Sequence, residues 1–229
     1  MIMLIIFAPL LLLGSSGVLA QRGSDIGDNR FLYKLQVSQD VTLERGSTNY
    51  NSLQYLLIAL HPSFPLKRSL VQFESLPSDS GCEILGARMY LYFDYAHKAS
   101  YLSVDQCPYV EHKAEVYMVA SSWDEASATS TYRRSGQEWN TPYLALDGTD
   151  AYSDVLDLVP LYPGAPNDRW VEFEVTKAVE QWASGAYANN GLLLKVKDED
   201  TEGRDLRFFS SASSDSTYHP YINVICQEK

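Results

Sequence analysis

Basic side chains are the clearest shortage in this chain. Eighteen lysines and arginines face 29 aspartates and glutamates across 229 residues, a formal charge of −11. Nucleic-acid binding needs a basic footprint, so that class is excluded. Long apolar runs are missing too, with one exception. Met1 to Leu13 is apolar, Gly14 to Gly17 break the run, and Val18-Leu19-Ala20 ends it on small or modest residues. Residues 1–20 therefore read as a secretory signal peptide cleaved after Ala20. The rival, an uncleaved anchor, wants a span of about 20 apolar residues, and this run is shorter. No later stretch is apolar enough to cross a bilayer, so no membrane span is expected after signal removal. An N-glycosylation sequon is also lacking, because Asn140-Thr141-Pro142 does not qualify.

Histidine and cysteine are scarce. His61, His97, His112 and His219 show no H-E-x-x-H spacing and no serine elbow beside them. Cys107 and His112 are near in sequence but lack an orienting third group. Zinc would want four ligands at tight spacing, and these are scattered. The chain reads as non-catalytic. Three cysteines in a secreted chain leave one over. Cys82 opens a strand and Cys107 follows its far end, so ten extended residues put them roughly 30 Å apart. Cys226 closes the last strand. If that strand lies antiparallel to the one starting at Cys82, the two sulfurs meet. The expected disulfide is Cys82–Cys226, with Cys107 free or bonded to another molecule.

What is present is a succession of short strands. Residues 21–30 are polar and read as a mobile leader. In Leu32 to Leu43, Leu35, Val37, Val41 and Leu43 form one face. Tyr55 to Leu60 is a buried strand, and Val71 and Phe73 belong to the next. Ala87, Met89, Leu91 and Phe93 alternate with Tyr90 and Tyr92. Val116 and Met118 mark another strand. Ser121 to Leu161 is irregular, with short strands near Tyr132 and Val155 to Leu158. Val171, Phe173 and Val175 alternate with glutamates, and then Thr176 reads as an N-cap. Val175, Val179 and Trp182 follow at helical spacing, and Gly185 ends the turn. Leu192, Leu193, Leu194 and Val196 resume a strand, followed by strands at Leu206 to Phe209 and Tyr221 to Cys226.

The fold class is all-β: a single-domain antiparallel β-sandwich, jelly-roll-like, over residues 31–229, with one short helix near residues 176–184. Its two inner faces are expected to hold Val71, Phe73, Met89, Leu91, Val116, Met118, Phe173, Val175, Leu192, Leu194 and Phe208.

The order of motifs resembles the DNRLRE domain, itself related in pattern to the transforming-growth-factor-beta propeptide fold. The resemblance runs from about Val37 to Ile225. It is carried by Gly46 to Ser52, Arg68 to Phe73 with Leu76-Pro77, Ile84 to Leu91, and Val116 to Trp123-Asp124-Glu125. Phe173 to Thr176, Val179, Trp182, Gly185 and Asn190 to Leu194 give the densest match. Phe208 to Ser211 and Pro220 to Val224 complete it. The resemblance implies an extracellular adhesive or carbohydrate-binding role.

Candidate site residues follow from residue chemistry. Trp139, Tyr143 and Tyr152, in the irregular segment, are the candidate sugar platform, since flat aromatic faces meet the apolar side of a pyranose. Asp147 and Asp150 flank Gly148, the oxygen-rich loop type that calcium uses. Asp198 to Glu202 is a second acidic stretch, read chiefly as a solvated turn. The expected partners are extracellular polysaccharide or matrix components. Two other roles compete with carbohydrate binding. One is an acidic, calcium-binding structural protein of an extracellular or mineralised matrix. The other is a propeptide-like binding module of the transforming-growth-factor-beta type.

Overall fold

The structure is a computed structural model that describes residues 23–61, 64–77, 81–97, 112–161, 169–197, 199 and 205–228. The expected signal peptide and Cys107 lie outside these residues. In chain order the elements are β1 Ser24–Gly27, β2 Arg30–Glu44, β3 Tyr55–His61, β4 Phe64–Phe73, β5 Cys82–His97 and β6 His112–Val119. Next come β7 Tyr132–Arg134, β8 Gln137–Glu138, β9 Ala151–Leu161, β10 Arg169–Glu174 and helix α1 Thr176–Ala183. The chain ends with β11 Leu192–Val196, β12 Asp205–Phe209 and β13 Tyr221–Glu228.

The strands pair antiparallel and build the two faces of a sandwich. In the front sheet β1, β2, β13 and β5 lie side by side. β10 covers the other edge of β5, and β12 links the end of β5 to β3. The back sheet runs β2, β4, β11, β6, β9. β2 serves both sheets, pairing with β13 through residues 30–36 and with β4 through residues 37–44. Every inner-face residue expected from the sequence belongs to the main core. Fully burying one such side chain stabilises the fold by about 1.5–3 kcal/mol.

The handover in β2 explains its loose alternation. The register shifts between Val37 and Gln39. One extra residue turns every later side chain to the opposite face. Phe31, Tyr33 and Leu35 therefore enter the main core, while Val41 and Leu43 enter a second cluster. The expectation that Leu35, Val37, Val41 and Leu43 share one face is corrected. The shift also buries Asp40, opposite Val71.

The leader is corrected as well. Ser24–Gly27 pairs with β2 as a hairpin. Its tight turn uses Asp28 at φ 54° and Asn29 at φ 56°, and these two residue types tolerate left-handed backbone.

Helix α1 takes Val175, not Thr176, as its N-cap. Thr176 instead lies inside the first turn, and its hydroxyl accepts the Ala87 N–H at 2.7 Å. The Glu174 carboxylate accepts the Thr176 N–H at 3.0 Å and so supplies the missing cap. Val175, Ala178 and Val179 are buried in the main core, and Trp182 packs against it. At φ +81°, Gly191 sits where a Cβ would lie 2.5 Å from the Val71 carbonyl oxygen. Only glycine fits that approach.

The irregular segment forms a layer of its own. Trp123, Ala128, Trp139 and Leu144 pack on Val41, Leu43, Leu70, Tyr117, Val119 and Leu193 of the back sheet's outer face. It is a lid of loops and the small β7–β8 hairpin over a second apolar cluster. Cys82 and Cys226 are joined by a disulfide, with Cα atoms 5.3 Å apart. The antiparallel β5–β13 register brings them together.

Candidate functional site

The outer face of the front sheet carries a continuous set of aromatic rings. Period two puts Tyr90 and Tyr92 outward from β5, because Met89 and Leu91 point inward. The same alternation puts Trp170 outward from β10, opposite Val171 and Phe173. Tyr221 of β13, Phe209 of β12 and Tyr55 of β3 join them by register, and Tyr218 comes from a short 3₁₀ turn. All seven side chains are half-buried.

The rings touch in sequence. Tyr90 stacks on Tyr221 at 4.8 Å. Trp170 meets Tyr90, Tyr92 and Tyr221 edge-on at 6.5, 5.2 and 5.1 Å. Tyr92 meets Tyr218 at 4.2 Å, Tyr218 meets Phe209 at 5.0 Å, and Phe209 meets Tyr55 at 5.2 Å. β10 and β13 lie on opposite edges of β5. Neighbouring strands are about 4.8 Å apart, so the Trp170–Tyr221 contact requires these rings to lean over β5. The sheet beneath is roofed by aromatic surface.

Two cations border this surface. The Lys34 ammonium lies 3.9 Å from the Tyr221 ring centroid, and the Arg207 guanidinium lies 4.6 Å from that of Tyr55. Such contacts are worth about 0.5–1 kcal/mol each when exposed. Arg207 also pairs with Asp94 at 2.9 Å, and Arg88 pairs with Glu172 at 2.8 Å. Burial, then the neighbouring Tyr90 and Glu172, hold the Tyr221 phenol above its ordinary range. The surface thus meets a ligand with apolar ring surface and a Tyr221 phenol held in its neutral form.

The site expected from sequence is not assembled. Trp139 is 3% exposed in the second cluster, and its indole N–H donates to the Thr129 carbonyl at 2.9 Å. It has no face left for a sugar. Tyr152 packs instead against the main core and against Tyr187 at 4.7 Å. Tyr143 is half-buried, and its backbone and that of Leu144 are left-handed at φ 66° and 63°. Both of their carbonyls accept from Arg68 Nη1, at 2.6 and 2.7 Å. Arg68 pairs with Glu199 through Nε and Nη2, at 2.8 and 2.7 Å. The left-handed pair is thus held by a guanidinium anchored beneath it.

The calcium loop is corrected for a similar reason. Asp150 is 1% exposed, and its two carboxylate oxygens each accept a backbone N–H at 2.9 Å, from Asn140 and Thr141. Asp147 accepts from Thr149 N–H and Asn140 Nδ2, which with its other amide contacts hold its carboxyl below the ordinary range. Both are turn-forming carboxylates. Among the described residues no three His, Cys, Asp or Glu side chains gather as a metal site. Of the acidic stretch near 200, only Glu199 is described, and it serves Arg68.

One polar cluster is a product of the β2 register shift and had no signal in the sequence. Asp40 is 1% exposed and accepts the Ser211 N–H at 2.7 Å. Its own N–H donates to Glu125 Oε1 at 3.0 Å. Burial, with the nearby Glu125 charge, pushes its carboxyl up to about 6, against the opposing pull of the Ser211 contacts and His219.

Comparison with known proteins settles the family. The model of the disaggregatase related repeat domain matches residues 38–224. The chain belongs to that family. The match replaces the DNRLRE resemblance, whose quoted motifs fall within nearly the same residues. No curated protein matches the chain. The match covers β3 to β12, helix α1, the loop lid and parts of β2 and β13, leaves out β1 and the front-sheet half of β2, and includes every ring of the aromatic surface.

Proposed function

We propose that this chain is a secreted, non-catalytic β-sandwich that binds carbohydrate or adheres to it through the outer face of the front sheet. The observation that carries the reading is the contiguous surface of Tyr55, Tyr90, Tyr92, Trp170, Phe209, Tyr218 and Tyr221. Large contiguous half-exposed aromatic surface marks an interaction site. Aromatic rings bind the C–H faces of sugars, while Lys34, Arg88 and Asn223 at the margin offer groups that can orient hydroxyls. Secretion rests on the signal-like segment Met1 to Ala20. A mineral-matrix role rests on the net charge alone, because Asp147 and Asp150 spend their oxygens on the chain's own amides.

A glycan array tests the proposal. Wild-type protein, with calcium and without it, is expected to bind a defined set of glycans. Trp170→Ala is expected to lose at least about tenfold in affinity, as truncation of a tryptophan hot spot does. Failure of the wild type to bind any glycan, or full binding by the variant, overturns the reading.

A further inference from the structure

Past Val37, β2 pairs with β4 along one side, and the Asp40 N–H meets the loop lid instead of a strand. The lid corner here spans residues 124–128. Its turn is closed by the Asp124 carbonyl, which accepts the Ser127 and Ala128 N–H groups at 3.1 and 2.8 Å. Glu125 projects from this corner, half-buried, and its Oε1 accepts the Asp40 N–H at 3.0 Å. Neutral contacts fasten the same corner. Glu125 N–H donates to Gln39 Oε1 at 3.1 Å, and Asn49 Nδ2 donates to the Glu125 and Ala128 carbonyls at 2.8 and 2.7 Å.

The Asp40 side chain ties this point to a third segment, the turn between β12 and β13, through the Ser211 N–H at 2.7 Å. His219 of that turn, whose Nε2 lies 2.9 Å from the Ser213 carbonyl, attracts a charge on Asp40, and Glu125 repels it. β4 places uncharged Val71 and Gln72 opposite Asp40 and Gln39, and the loop before β3 contributes uncharged Asn49. Glu125 and His219 are therefore the charged or titratable groups acting on Asp40 among the described residues. With its carboxyl raised by burial to about 6, Asp40 changes charge between mildly acid and neutral solution.

The two neighbouring segments respond in opposite senses. An ionised Asp40 strengthens its contact with the Ser211 N–H, so the turn stays. It repels Glu125, at a partly buried site where like charges are weakly screened. Asp40 is 1% exposed and has no way out, whereas half-buried Glu125 can rotate into water. We propose that Asp40 and Glu125 form a pH-operated latch on the loop lid. In acid, neutral Asp40 lets Glu125 cap the β2 edge, and the corner is fastened. As pH rises and Asp40 ionises, Glu125 swings out, and Gln39 and Asn49 alone hold the corner. Trp123 and Ala128 of the second apolar cluster adjoin it, so the latch sets how readily that cluster opens. None of the rings argued to meet carbohydrate takes part, so the inference stands apart from that reading.

Hydrogen exchange of the mature chain, read by NMR at about pH 5 and about pH 8 and corrected for the intrinsic rates, tests the latch. Protection of the Asp40 and Ala128 amides is expected to fall at least about tenfold at the higher pH, while Ser211 and the main-core strands hold theirs. Asp40→Asn and Glu125→Gln each remove one charge and keep an oxygen for the bonded N–H. Each is expected to shrink the fall to within about twofold, and either carries the test should the other fold poorly. His219→Asn is expected to leave the fall in place. Equal protection at both pH values in the wild type, a fall that survives both carboxamide variants, or one that His219→Asn abolishes overturns the inference. So does loss of protection at Ser211 with Asp40 unchanged, which would make the turn the moving part.

Discussion

Replacing Asp40 with asparagine should stabilise this protein at neutral pH. The carboxyl is buried at the β2 register shift, and its folded-state value stands at about 6 against an ordinary 3.8. A value raised by folding means that the neutral form is the one the fold prefers. The associated stability is fully present below about pH 4 and is lost as pH rises through about 6. The gap from 3.8 to about 6 corresponds to about 3 kcal/mol well above pH 6, an order-of-magnitude figure. Asparagine keeps an oxygen for the Ser211 N–H and carries no charge, and its amide N–H can face Glu125. Asp40→Asn should therefore gain about 1–3 kcal/mol at about pH 8. The gain should shrink to a few tenths of a kcal/mol near pH 4. Urea unfolding of both proteins across this range measures it, and the difference between them cancels the other titrating groups. A variant that is less stable at every pH would show that the ionised carboxylate, not the neutral acid, is what Ser211 holds. A pH-independent difference would refute the burial argument outright.

Three further outcomes follow from the packing. Gly191→Ala should cost at least about 3 kcal/mol, since it combines a left-handed backbone with a Cβ 2.5 Å from the Val71 oxygen; the urea midpoint reads it. Arg68→Met strips the anchor from the Tyr143 and Leu144 carbonyls and leaves Glu199 half-enclosed. It should cost about 2–4 kcal/mol and speed hydrogen exchange in residues 140–150 ahead of the main core. Replacing Cys82 and Cys226 together with serine opens a link between residues 144 apart in sequence, and should lower stability by about 2–5 kcal/mol, matched by adding reductant to the wild type.

Strand character was legible wherever one face is apolar. Met89 and Leu91, Phe173 and Val175, and Leu192 and Leu194 alternate or run together, and the structure puts all of them in one core. β2 was read with the wrong face after Ser38, because a bulge costs one residue of register and leaves no composition signal. Thr176 has the chemistry of an N-cap, but the β5 backbone at Ala87 claims its hydroxyl. The aromatic surface was half legible. Alternation alone turns Tyr90, Tyr92 and Trp170 away from the core. Their meeting with Tyr221, Phe209 and Tyr55 depends on which strands are neighbours, a long-range fact. Trp139 illustrates the converse. A tryptophan among polar residues looked exposed, yet it nucleates a cluster that exists only because the segment folds back over the sheet.

The measurement nearest to the central claim is affinity electrophoresis in gels cast with soluble polysaccharides, both neutral and acidic. Wild type, a Tyr90→Ala/Trp170→Ala double variant and a Tyr132→Ser control on the opposite side are run together. The account predicts that at least one polysaccharide retards wild type and control alike and leaves the double variant unretarded. Equal retardation of all three, or none of the wild type in any gel, would contradict it.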